Sequence, residues 1–99
     1  MSMEEQISAA LRPTFGEQVR AYRYNSVSIR VRIVSERFAG LDRVGREELV
    51  NPLIERLPDD VQDDITILLL LTPAEHAKRF ERLDLLDIEF DEPTASAIR

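Results

Sequence analysis

The chain has 99 residues, 43% of them hydrophobic, which is enough for one domain with a single modest core. Because cysteine is absent, disulfides, thiolate metal sites and cysteine nucleophiles are excluded, and a reducing cytoplasm is the expected location. A net charge of -6 argues against general affinity for nucleic acids, and the sequence predicts neither a membrane span nor a secretory signal.

Charge is distributed unevenly along the chain. Between Arg12 and Arg46 there are eight arginines and three acidic residues, whereas Glu47 to Arg99 contains fourteen acidic residues and five basic ones. The first part can therefore form a local positive surface on a protein that is acidic as a whole.

The first predicted element is a helix over residues 2–11. Ser2 and Glu5 have the spacing of a capping box, in which each side chain binds the backbone N–H of the other residue. Pro13 is expected to end this helix, because the residue before a proline avoids helical backbone angles.

Two strands are predicted next, at residues 19–24 and 27–34, with a turn at Asn25 and Ser26 that makes them an antiparallel hairpin. The second strand alternates strictly between apolar and polar residues. One face carries Val27, Ile29, Val31 and Ile33, and the other carries Ser28, Arg30 and Arg32. Such alternation is typical of a strand with one buried face and one wetter face.

A loop over residues 38–45 and a helix over residues 46–57 follow the hairpin. The helix has one apolar side and contains Pro52, which removes one backbone hydrogen bond. We favour a single helix that tolerates Pro52 near its first turns; alternatively, Asn51 caps a second helix with Pro52 at its first position. Pro58 ends the helix and begins a short helical turn.

The last elements are a strand at residues 65–71 and a final helix. The strand is apolar on both faces, as in a strand that lies parallel to its neighbour and is covered on both sides. Thr72, Pro73 and Glu75 predict a helix start, and this helix is expected to reach about residue 83. Residues 84–99 form an acidic tail, whose Leu85, Leu86, Ile88 and Phe90 are expected to dock back.

Two segments resemble the BolA family. Residues 31–40 read as a strand ending in Ser-Glu-Arg-Phe-Ala-Gly, and residues 71–75 read Leu-Thr-Pro-Ala-Glu, at the distance that the family shows. The resemblance covers residues 3–80. It implies an α+β, class II KH-like fold over residues 1–83, in the order helix–strand–strand–helix–strand–helix, with a three-stranded mixed sheet.

The family also implies partners and ligands. The resemblance implies a monothiol glutaredoxin as partner. BolA-like proteins share a two-iron two-sulfur cluster with it, and a histidine or cysteine serves as the cluster ligand. This chain has Glu47 and Thr66 at those positions, and its only histidine, His76, stands where the family often has tryptophan. The resemblance therefore implies a protein-binding adaptor, with a glutaredoxin-like protein among its partner classes, that has no cofactor and no metal.

The candidate binding residues are arginines. Arg30 and Arg32 share the wetter strand face, with Arg20 or Arg23 beside them, and Tyr22 and Tyr24 are interleaved with these residues. Such a surface suits an acidic protein partner or, as the alternative function, the stacked bases and phosphates of a KH-like nucleic-acid site. The full predicted set is Arg20, Arg23, Arg30, Arg32, Arg37 and Arg46.

Catalytic and metal sites are less well supported. A lone histidine makes a poor metal site, and the acidic cluster at residues 59–64 lacks the glycine and alternating oxygens of a calcium loop. Glu47 and Glu48 point about 100° apart on a helix, so they do not form a carboxylate pair. Without a base beside a serine or a phosphate-binding glycine loop, we expect a binding or regulatory module and not an enzyme.

Overall fold

The computed structural model describes residues 1–83, which form an α+β domain with a mixed sheet. The elements in chain order are α1 Met3–Phe15, β1 Val19–Asn25, β2 Ser28–Val34, a 3₁₀ turn Glu36–Phe38, α2 Arg43–Ile54, α3 Asp59–Asp64, β3 Ile65–Leu71 and α4 Pro73–Leu83. The predicted fold class and order of elements are confirmed, and the short helical turn after Pro58 is α3. The predicted acidic tail, residues 84–99, lies outside the described residues.

The sheet has the order β1-β2-β3, so β2 is its central strand. β1 pairs with β2 antiparallel, from Val19 opposite Ile33 to Asn25 opposite Ser28. β2 pairs with β3 parallel, as the two-sided apolar character of β3 predicts. Register shifts near the hairpin end of both pairings mark irregularities there.

The core lies between the sheet and the helices on one of its faces, which we call the inner face. α1 packs mainly on β1 and also contacts α2. Phe15 and Phe38 stack with ring centroids 5.4 Å apart, which closes the core beneath the 3₁₀ turn. The buried cluster comprises Ile7, Leu11, Phe15, Val19, Ile29, Val31, Ile33, Phe38, Val50, Ile54 and Val61.

The first helix is longer than the sequence predicted. The capping box forms, because Glu5 N donates to Ser2 Oγ and Ser2 N donates to Glu5 Oε1. The helix then continues through Pro13 to Phe15 instead of stopping. Burial of Phe15 in the core favours this extra turn, and Gly16 ends it with a φ of +86° that other residues rarely adopt.

Val27 does not belong to the buried face of β2, contrary to the prediction. The turn occupies Ser26 and Val27, one residue later than predicted, and the Val27 side chain is 66% exposed. Val27 N donates to Asn25 Oδ1, which fixes the turn locally. The strand therefore begins at Ser28, while Ile29, Val31 and Ile33 are fully buried as predicted.

α2 begins earlier than predicted, and Pro52 lies near its C-terminal end instead of in its first turns. Asp42 caps it by accepting a hydrogen bond from Gly45 N, so part of the predicted loop is helical. Pro52 lies in the last turn, where the lost backbone bond affects only the end of the helix. Neither a helix that starts at Arg46 nor a second helix capped by Asn51 forms.

Candidate functional site

The outer face of the sheet, opposite the core, brings three of the six predicted arginines together. Arg20 lies opposite Arg32 across the β1–β2 pair, and Arg30 lies opposite Tyr22. Side chains of neighbouring strands at such positions point to the same side of a sheet. We call this surface the arginine face, and it comprises Arg20, Tyr22, Tyr24, Arg30 and Arg32.

The side chains of the arginine face are less exposed to solvent than the alternation in β2 predicted. Arg30 is only 5% exposed and Ser28 is 9% exposed, whereas Arg32 is half-buried. The guanidinium carbon of Arg30 lies 3.6 Å from the ring centroid of Tyr24, within the range of a strong cation–π contact. Arg20 makes a longer contact of the same kind with Tyr22, at 5.7 Å.

Like charges are neighbours on this face. Burial lowers the pKa of Arg32, and the positive charge of Arg20 on the opposite strand lowers it further. Direct opposition of like charges across two strands is unfavourable. The arginine face therefore carries a local concentration of positive charge.

Arg23 belongs to the other side of β1. It lies opposite Ile29, whose side chain is in the core. Its guanidinium donates to Asp64 Oδ2 at 3.0 Å and to the backbone oxygen of Asn25 at 3.0 Å, and it also contacts Met3 Sδ. Arg20 and Arg23 were both predicted as neighbours of Arg30 and Arg32. Only Arg20 lies beside them, whereas Arg23 links the hairpin to α3.

Arg37 and Arg46 lie away from the arginine face and hold elements together. Arg37 Nε donates to the Thr14 backbone oxygen at 3.1 Å, joining the 3₁₀ turn to α1. Arg46 donates to the backbone oxygens of Leu41 and Leu70 and makes a two-point contact with Glu75, with N–O distances of 2.6 and 3.0 Å. Arg46 thus connects α2, β3 and α4.

The Arg46–Glu75 contact includes a predicted helix cap. Thr72 N donates to Glu75 Oε1 and Glu75 N donates to Thr72 Oγ1, so the capping box of α4 forms. The hydrogen bonds from Arg46, which have the largest effect, and those from Thr72 together lower the pKa of Glu75 from 4.5 to about 2. The same pairing raises the pKa of Arg46.

A shallow cavity of about 130 Å³ opens beside the arginine face at the hairpin end. The hydroxyls of Ser28 and Thr66 are hydrogen-bonded to each other there, and Arg30 and Tyr24 form part of the wall. The polar side chains of this wall extend the arginine face toward the turn.

The two positions at which the BolA resemblance would place cluster ligands do not fit an iron–sulfur cluster. Glu47 is on α2 and accepts a hydrogen bond from Arg43 at 3.2 Å. Thr66 is on β3, bonded to Ser28. A carboxylate held by an arginine and a threonine hydroxyl do not replace the thiolate and imidazole ligands of such clusters.

Metal-binding geometry is absent from the part of the chain that the structure describes, where no three His, Asp or Glu side chains converge. His76 is half-buried in the first turn of α4, where its backbone N donates to the Thr72 oxygen. Asp64, from the acidic cluster, pairs with Arg23. Among residues 1–83, no helix has the length and apolar character needed to cross a membrane.

Comparison with known proteins gives no match to this chain among protein-family models, curated proteins or solved structures. The arguments about function therefore come from the geometry of the described residues. Sequence reasoning missed the pairing of Arg46 with Glu75, 29 residues apart, because only the tertiary structure brings the two residues together: α2 and α4 each contact β3. It also missed Asp42 as a helix cap, although its spacing to Gly45 was visible.

Proposed function

We propose that this protein is a non-catalytic binding and regulatory module of BolA-like architecture, an adaptor that binds an acidic segment of a protein partner on its arginine face. The observation that carries the proposal is the position of Arg20, Arg30 and Arg32 on one face of β1 and β2. The carboxylates of an acidic partner segment can form charge-assisted hydrogen bonds with guanidinium groups placed this close together.

The partner segment should also be partly apolar. β3 carries Ile67 and Leu69 at the register positions of Arg30 and Arg32, so apolar side chains border the arginines. Ile67 is buried and Leu69 is partly exposed, so a segment in which carboxylates are interleaved with leucine or phenylalanine suits this mixed surface better than carboxylates alone.

A nucleic-acid module is the second candidate, because two tyrosines and three arginines on one sheet face resemble a surface for single-stranded bases. One observation favours the protein partner over it. Tyr24 and Tyr22 each already contact an arginine through the ring, which leaves less ring surface for base stacking. The net charge of -6 further weakens binding to a polyanionic backbone.

The test compares two probes on the full chain by fluorescence anisotropy. One is a short fluorescein-labelled peptide of glutamates interleaved with leucines, and the other is a short single-stranded oligouridylate. We expect the peptide to bind at low ionic strength and the RNA to bind at least about tenfold more weakly.

Charge-reversal variants locate the site. Arg20→Glu with Arg32→Glu should abolish peptide binding, whereas Arg43→Glu with Arg56→Glu, on exposed positions of α2 and its C-terminal end, makes the same change in net charge and should reduce affinity only slightly. Equal losses in both variants would contradict a site on the arginine face. Tighter, salt-dependent binding of the RNA would select the second candidate.

For a glutaredoxin-like partner, we propose contact without cluster ligation by residues 47 and 66. Mixing the protein with a cluster-loaded monothiol glutaredoxin should leave the visible absorption and circular dichroism of the cluster unchanged. A change in these spectra that shows exchange of a cluster ligand, and that is lost in Glu47→Ala or Thr66→Ala, would overturn this part of the proposal.

A further inference from the structure

A segment that binds the arginine face needs two properties at once. The three arginines of the face favour carboxylates, and the β3 side chains in register with them, Ile67 and Leu69, favour apolar groups.

Residues 84–92 of the same chain have this composition. Asp84, Asp87, Glu89, Asp91 and Glu92 alternate with Leu85, Leu86, Ile88 and Phe90. The five carboxylates are complementary to the positive charge of the arginine face, and the four apolar side chains match the apolar side chains of β3 beside it. Charge complementarity and apolar content therefore point to the same segment.

The segment is also long enough and correctly attached. It follows α4, which starts directly after β3, the strand that borders the arginine face. Its sixteen residues, 84–99, span up to about 50 Å when extended. The longest dimension of the molecule is 35 Å, so the segment reaches any part of the sheet.

We propose that residues 84–99 bind the arginine face of their own chain and compete there with the acidic segment of a partner. The intramolecular contact does not depend on the proposed function, whereas the competition with a partner rests on that function. Because a short tether gives an effective concentration of about millimolar, even a weak contact of about 0.1 mM intrinsic affinity lowers the affinity for a partner about tenfold.

A spin label tests the contact itself. The chain has no cysteine, so Ser96→Cys provides a single labelling site in the full-length protein. At low ionic strength the label should broaden the side-chain NMR signals of Arg20 and Arg32. This broadening should disappear in a tail-neutral variant with Asp87→Asn, Glu89→Gln, Asp91→Asn and Glu92→Gln. No broadening, or the same broadening in both proteins, would overturn the proposal.

The competition is measured with the glutamate–leucine peptide and a charge-matched control. The control, the helix-neutral variant, removes four exposed carboxylates with Glu48→Gln, Glu55→Gln, Asp59→Asn and Asp63→Asn. We expect the tail-neutral variant to bind the peptide about tenfold more tightly than the helix-neutral variant. Equal affinities would overturn the competition.

The two proposals fail in different ways. Label broadening without peptide binding in any variant would reject the proposed function and retain the intramolecular contact. Peptide binding that depends on Arg20 and Arg32, without label broadening and without a gain in the tail-neutral variant, would retain the proposed function and reject the contact.

Discussion

The two faces of the sheet differ in chemistry, although both carry side chains of the same strand, β2. Toward the helices, Ile29, Val31 and Ile33 are fully buried in an apolar cluster. Toward the other side, Arg30 and Arg32 lie among an arginine and two tyrosines of β1. The inner face stabilises the fold through apolar burial, whereas the outer face keeps like charges together, which favours a binding role.

The arginines themselves show the same difference. Arg23 and Arg46 contact carboxylates on other elements and link those elements together. Arg20 and Arg32 lie opposite each other across β1 and β2, and the pKa of Arg32 is lowered. The contacts of Arg23 and Arg46 show a structural role, and the clustering of Arg20 and Arg32 is the basis of the proposed binding surface.

Adjacent substitutions on β2 should give the largest contrast. Ile33→Ala removes a fully buried side chain and should lower the free energy of unfolding by about 2–5 kcal/mol. Arg32→Ala loses some packing but relieves repulsion with Arg20, so the change should stay within about 1 kcal/mol. Urea unfolding followed by circular dichroism measures both. A cost for Arg32→Ala equal to that for Ile33→Ala would show that the outer face is structural.

The Arg46–Glu75 pair should give an intermediate effect that depends on pH. The pKa of Glu75 is lower in the folded state, so its contribution is present above about pH 5 and is lost as pH falls toward about 2. Because Glu75 is 45% exposed, solvent screening limits the contribution to about 1 kcal/mol.

Glu75→Gln isolates the charge, since glutamine can still complete the capping box with Thr72. The stability difference between the wild-type protein and this variant should shrink steadily in urea titrations from neutral pH to about pH 2. Glu17→Gln, at an exposed position, is the control and should change stability by less than about 0.5 kcal/mol. A difference for Glu75→Gln that does not vary with pH would show that the pair contributes through shape and not through charge.

The two cation–π contacts of the arginine face should give the smallest effects. A double-mutant cycle with Arg30→Met and Tyr24→Leu should measure a coupling of about 1 kcal/mol, because the contact is close and Arg30 is buried. The matched cycle with Arg20→Met and Tyr22→Leu, at 5.7 Å, should give at most about 0.5 kcal/mol. Equal couplings would mean that burial of Arg30 adds nothing to its contact with Tyr24.

Much of the architecture follows from the sequence alone. The period-two pattern of residues 27–34, the capping boxes at Ser2 and Thr72 and the apolar run at residues 65–71 predict elements that the structure confirms, except that β2 begins at Ser28 and not at Val27. These signals are local, since each depends on residues within one turn or one strand. The predicted end of α1 was wrong because burial of Phe15 extends this helix. The predicted start of α2 was wrong because Asp42 caps this helix before Arg43.

The sequence by itself determined which residue types could form a positive surface, but only the tertiary structure decided which arginines form it. Strand register places Arg20 opposite Arg32 and directs Arg23 toward Asp64. The contacts of α2 and α4 with β3 bring Arg46 to Glu75. The physical reason is that a long, flexible arginine side chain takes its role from whichever carboxylate, carbonyl or ring the fold brings within reach. Such contacts join positions up to 41 residues apart, beyond what local periodicity can specify.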